Sequence, residues 1–201
     1  MAPTRTTTII TPADSYDLVT LDDLKSDLSI VGTGDDEYLA RAISKASLAA
    51  ARYCDRTLVA ETVEDRFDLG WSSPSTLSLS HFPVIDLQTV SQDGAALVAD
   101  VDYWLDASSG GLTRIGCGWG GATILVRYEG GYEDIPLDLQ GAATDIVKAL
   151  QFNRTRDPLL RSENILSGLY AYTLFDGSSG ASAGTAMQVR STLDSYRVIT
   201  V

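Results

Sequence analysis

The sequence predicts an α+β protein: a helical core of about three to four helices, an inserted antiparallel β-unit and an extended C-terminal tail. Three observations predict it. Residues 34–57 carry apolar side chains at helical spacing. Residues 58–131 change to an alternating period broken by glycine turns. A second helical period returns at Leu139 and runs to Leu150. The predicted organisation is an N-terminal arm (1–19), a helical core (20–57 and 132–175), a β insertion (58–131), and a linker with a C-terminal tail (176–201).

Residues 1–16 are Thr-rich with two prolines and read as an extended arm. Thr20 is an N-cap, with Asp23 three residues on in a capping-box role, and Leu21, Leu24 and Leu28 make a short amphipathic helix. In the long helix, Leu39, Ile43, Ala46, Ala50 and Tyr53 recur at steps of four and three, which is one helical face. Asp35 is its N-cap, and Asp36 and Glu37 occupy a first turn where the helix dipole favours acids. Its many alanines favour helix and let a neighbouring helix approach closely.

Beyond Arg56 the strands begin. Val63, Phe67 and Leu69 keep odd spacing, and Pro83 introduces the β-rich run VIDLQTV. Asp93-Gly94 is a hairpin turn, and Ser108 to Gly111 is another. TILVRY (123–128) is the strongest strand. Pro136 suits a helix start, and Leu139, Ala143, Ile146, Val147 and Leu150 follow the helical period until Asp157-Pro158 stops it. The two long helices carry matching apolar faces on either side of the insert, so Ile43, Ala46 and Ala50 are expected to pack on Ile146, Val147 and Leu150. Arg154 and Arg156 fall at a helix end, where cations suit the dipole; an intersubunit salt bridge is their sharper reading. Residues 176–186 have linker composition. In the last fifteen residues, Tyr196, Val198 and Val201 suit the faces of a strand added to a partner sheet, with Arg197 and Thr200 in polar contacts.

Composition excludes several function classes. The chain has 201 residues, 15 Lys plus Arg and 27 Asp plus Glu, a formal charge of −12 that argues against gripping nucleic acid by its phosphates. The same charge suits a surface past which DNA slides. Two distant cysteines, Cys54 and Cys117, and one histidine, His81, are too few for a zinc site, and free buried thiols are expected. Asp100, Asp102 and Asp106 lack the glycine and terminal Glu of a calcium loop. GCGWGG has no strand–loop–helix context with a following Lys-Ser/Thr, so it reads as a glycine-rich turn and not a phosphate cradle. His81 comes with no identifiable nucleophile and orienting acid, and no enzyme activity or cofactor is expected. Trp104 and Trp119 are expected in the core more than at an interface. With no apolar signal core and no run of ~18 apolar residues, a soluble protein made in a cytoplasm is expected.

Three segments together resemble the head–tail connector (adaptor) proteins of tailed bacteriophages and gene transfer agents. They are Leu18 to Leu58, with LVTLDDLKSDLSI and DDEYLARAISKASLAAARYCDRTL; Phe82 to Asp106, with its hairpin ending in DYWLD; and Val126 to Pro158, with GYEDIPLDL at a helix entry. The resemblance covers about two-thirds of the chain, and its order and spacing carry it more than any one motif. It implies a non-catalytic protein of the virion head–tail interface, assembled in the host cytoplasm as a twelve-membered ring under the portal. Such a ring extends the DNA channel without specific DNA binding and receives the stopper or tail-completion protein. It also implies that the C-terminal segment, Tyr196, Arg197, Val198, Ile199 and Val201, engages the portal. The other class open to the sequence is a β-rich carbohydrate- or peptide-binding module on a helical stalk.

Overall fold

The computed structural model describes residues 4–121, 123–154 and 181–198. The chain is α+β, as expected, and divides into two compact units. Unit 1 comprises Met1–Tyr16 and Arg56–Ile135; unit 2 comprises Asp17–Asp55 and Pro136–Val201.

Unit 2 is helical. Helix α1 (Leu21–Asp27) is capped by Thr20, as expected: its Oγ1 accepts from the Asp23 amide at 3.1 Å and donates to the Asp23 carboxylate at 2.5 Å. Helix α2 (Asp36–Cys54) starts at Asp35, but the Asp35 side chain makes no capping hydrogen bond. Instead Lys25 reaches from α1 to Asp36 at 2.7 Å. Helix α3 (Leu137–Arg154) begins behind Pro136, whose carbonyl accepts from Gln140 at 3.0 Å. The apolar core joins Val19, Leu24, Leu39, Ala42, Ile43, Ala46 and Val147, with Ile146 and Leu150 packed against it. Ala50 is fully buried but lies outside that cluster.

The C-terminal segment departs from expectation. Ala181–Tyr196 is a helix, α4, and not a linker running into a strand. The linker reading rested on small residues, and Ala181, Ala183 and Ala186 are also good helix formers. Residues 176–180 of the expected linker lie outside the described residues.

Among the described residues, the strands of unit 1 pair antiparallel. Its strands are β1 (Thr4–Thr11), β2 (Glu61–Asp68), β3 (Thr76–Ser78), β4 (Val84–Gln92), β5 (Ala95–Ala96), β6 (Tyr103–Asp106), β7 (Gly111–Arg114) and β8 (Thr123–Gly130). They form a five-stranded sheet of order β1-β2-β8-β4-β5 and a three-stranded sheet of order β3-β7-β6. The expected strongest strand, β8, is central, with every second residue buried. The arm read as merely extended is the edge strand β1, paired antiparallel with β2 from Thr4↔Asp68 to Thr11↔Thr62. Asp93 and Gly94 turn β4 into β5 with φ of 49° and 83°.

Both sheets contribute to one core: Val63, Phe67, Val90, Ile124, Val126 and Tyr128 from the large sheet, and Leu77, Tyr103 and Leu112 from the small one. Trp119 is fully buried there and donates from Nε1 to the Leu112 carbonyl at 3.1 Å. Gly118 beside it serves that close packing: a side chain there would meet the Ser73 carbonyl at 2.7 Å. Trp104, also expected in the core, is 49% exposed, because its place on β6 faces away from Leu105 and Tyr103.

Candidate interaction and polar sites

The C-terminal segment builds the first site, within unit 2. Helix α2 ends at Cys54, and Asp55 takes the left-handed conformation that closes it. The carbonyl of Cys54 accepts from the Val198 amide at 3.0 Å, and its thiol donates to the Leu193 carbonyl at 3.6 Å. Leu193 is buried, the apolar anchor of α4. Around it Tyr53 donates to Asp194 at 2.5 Å, Tyr196 donates to Asp138 in the first turn of α3 at 2.8 Å, and the Arg197 guanidinium lies 5.5 Å from the Tyr53 ring centre. Residues up to Val198 are therefore tied to their own unit. Of the residues expected to bind a portal, Tyr196 and Val198 are half-buried, Arg197 is exposed, and Ile199 and Val201 lie outside the described residues. Arg154 is the last residue of α3, and Arg156 lies outside the described residues.

The second site is a polar cluster in unit 1 that sequence reading missed. The Asp65 carboxylate, fully buried on β2, accepts from Thr7 Oγ1 at 2.6 Å, Ser80 N at 2.7 Å, Ser80 Oγ at 2.8 Å and the Tyr128 hydroxyl at 2.8 Å. His81 lies between Ser80 Oγ, 2.9 Å from its Nδ1, and Glu61 Oε1, 2.9 Å from its Nε2. Tyr16 donates to the other Glu61 oxygen at 2.7 Å. Burial and the nearby Asp65 charge push the Tyr128 phenol well above its ordinary value. The signal was present: Glu61 and Asp65 share the inward period of Val63 and Phe67.

Serine, histidine and glutamate are thus in contact, yet the arrangement is poor for catalysis. Ser80 Oγ also bonds Asp65, and Glu61, Asp65 and His81 are all buried. What the cluster does is fasten β1, β2, β8 and the β3–β4 loop to one another. Among the described residues no group of three or more His, Cys, Asp or Glu could hold a metal ion. Asp102 pairs with Arg114 at 3.5 Å, and Asp106 accepts from Ser108 and Ser109 in a turn. Cys54 is a buried free thiol; Cys117, expected to be buried, is exposed on its glycine loop.

Residues 18–77 match the family model described as "Phage gp6-like head-tail connector protein". The head–tail connector resemblance is thereby borne out. The match takes in α1, α2 and the first strands of unit 1 after the arm. Solved structures share the fold. A chain of the "Neck of empty GTA particle computed with C6 symmetry" is similar with a TM-score of 0.63 at 12% identity, over 98% of this chain and 97% of that one. A chain of the "Virion of native gene transfer agent (GTA) particle" is similar with a TM-score of 0.60 at 15% identity, over 97% and 96%. A chain of the "Neck of native GTA particle computed with C12 symmetry" gives 0.58 at 14% identity, over 98% and 97%. No curated protein matches the chain.

Proposed function

We propose that this chain is a structural subunit of a virion neck, a head–tail connector that assembles into a ring beneath the portal of a phage or gene transfer agent particle. The observation that carries the reading is the connector-family match over α1 and α2, joined to a neck-protein fold along nearly the whole chain. The ring has twelve members, as the C12 symmetry of one similar neck suggests. Its lumen is acidic, so DNA passes without the phosphate contacts that would hold it; the charge of −12 supports this. The ring's far face receives a stopper or tail-completion protein, and assembly takes place in the host cytoplasm. The residues after α4, from Arg197 to Val201, engage the portal, while Tyr196 and Leu193 hold the base of that segment. Arg154 and Arg156 pair with acids of the adjoining subunit.

Co-sedimentation with purified portal rings tests the reading. Saturable binding at a fixed ratio of connector to portal subunits is expected. A chain that stays in the supernatant with correctly assembled portals contradicts it.

A further inference from the structure

The five-stranded sheet of unit 1 has two unfinished edges. On one side β1 has no strand on its outer edge among the described residues. All eight of its residues are exposed, on both faces. Arg5, Thr7 and Ile9 pair with the buried Phe67, Asp65 and Val63 and so share the inward face, yet Ile9 is 51% exposed; Ile10, where the register shifts, is 41% exposed. Seven of the eight residues are Thr or Ile, the β-branched types that favour a pleated, half-buried surface. A long edge of this kind is a template for another strand; it lacks Lys and Pro, and its one charge, Arg5, stands at the second residue and leaves the rest of the edge uncharged.

On the other side, β5 covers only Ser91 and Gln92 of β4. The chain's own loops close both ends of the remainder: the Val84 amide donates to Ala107, and the Val90 carbonyl accepts from Leu97. Between them residues 85–89 have no strand on their outer side among the described residues, and Ile85 is 40% exposed. The gap carries Asp86 and no base; β1 carries Arg5 and no acid.

We propose that β1 of one copy adds antiparallel to the open edge of β4, at residues 85–89, of the next copy. The inference rests on the ring reading above. Strand direction favours it. β1, β2, β8 and β4 alternate strictly antiparallel, so the two edges run in opposite senses. Copies placed side by side then meet β1 against β4 antiparallel, and the alternation continues across every junction. Two different edges meeting make a head-to-tail contact, which closes into a ring or continues as a filament. Pairing of β1 with β1 would instead close a dimer and leave both β4 edges bare.

The test uses the full chain with Cys117→Ser and Gln88→Cys, combined with Thr6→Cys, Thr8→Cys or Ile10→Cys to sample registers. A disulfide needs Cα atoms about 4.4–6.8 Å apart, so only adjoining strands cross-link. Oxidation of the assembled protein, alone and with portal rings, is read on denaturing gels beside the mass of the assembly. A ladder beyond the dimer, requiring both new cysteines, is expected. Dimers from Thr8→Cys alone, with no ladder, would show β1 paired with itself and overturn the proposal. An assembly of ring mass without a ladder in any register overturns it while the ring reading stands; monomers with no ladder remove both. Hydrogen exchange on the unsubstituted chain guards against variants that fail to fold. Assembly is expected to slow the amides of residues 4–11 and 85–89 roughly tenfold or more, and unchanged exchange at both edges contradicts the pairing.

Discussion

Replacing Asp65 by alanine removes the acceptor at the centre of unit 1. Four hydrogen bonds end on that carboxylate. Thr7 lies on an exposed strand and can turn to water. Ser80 Oγ retains the Tyr128 hydroxyl at 3.0 Å and His81 Nδ1. The Tyr128 hydroxyl can then donate to Ser80 Oγ, so the Ser80 amide is the donor left without its acceptor, and the loss is about 1–3 kcal/mol. That is a large share of the about 5–15 kcal/mol of an ordinary domain. Asp65→Asn keeps the volume and one acceptor but turns an amide donor toward donors; a loss of about 1–3 kcal/mol is expected. Urea unfolding followed by circular dichroism and tryptophan emission measures both, since Trp119 lies in the same core. A change within about 0.5 kcal/mol for Asp65→Ala, the range of an ordinary surface substitution, would refute the view that this cluster holds the strands together.

Five further outcomes are expected. Ala46→Trp, placed in the core shared by α2 and α3, should overpack unit 2 and cost about 1–3 kcal/mol or more; unchanged thermal stability would mean the two faces do not bury each other. Gly131→Ala should cost about 1–3 kcal/mol in denaturant unfolding, because φ is +118° there and a Cβ would lie 2.4 Å from the Val59 carbonyl; a neutral result would show the backbone can move aside. Tyr128 stays protonated in the fold well above its ordinary value of 10.0, so its contribution is intact below about pH 10 and is lost as pH rises beyond it; Tyr128→Phe should flatten that alkaline decline in a pH series of melts, and an equal slope would contradict the assignment. Deleting residues 199–201 should leave the melting temperature unchanged while weakening co-sedimentation with portal rings, whereas equal binding would remove the tail as the anchor; Leu193→Ala should instead destabilise unit 2, by about 2–4 kcal/mol.

Much of this fold was legible because periodicity reports burial directly. The long helix shows its inward face at Leu39, Ile43, Ala46, Ala50 and Tyr53; the first four are buried and Tyr53 is half-buried. The Asp93-Gly94 turn was readable because few residue pairs tolerate two positive φ angles. Other features were not legible, for definable reasons. The arm's threonines suit a strand, but only the long-range partner β2 makes one of them, and a sequence does not show its partners. The tail's β-branched and aromatic residues suggested a strand, while the burial of Leu193 beside Cys54 decides for a helix. Trp104 and Trp119 look alike as letters; Trp104 stands on β6 facing away from the core, while Trp119 enters the core from the loop between β7 and β8. The Asp65–Ser80–Tyr128 cluster joins residues far apart in sequence, so its one local sign was the placing of Glu61 and Asp65 on an apolar period.

Whether this chain closes a ring on a portal is decided by electron microscopy of the chain assembled with portal rings. A ring of identical subunits is expected, twelve by the proposal above, coaxial with the portal and with an acidic channel along its axis. Portal rings that remain bare at saturating concentrations of a folded chain, with the chain itself monomeric by mass, would contradict it.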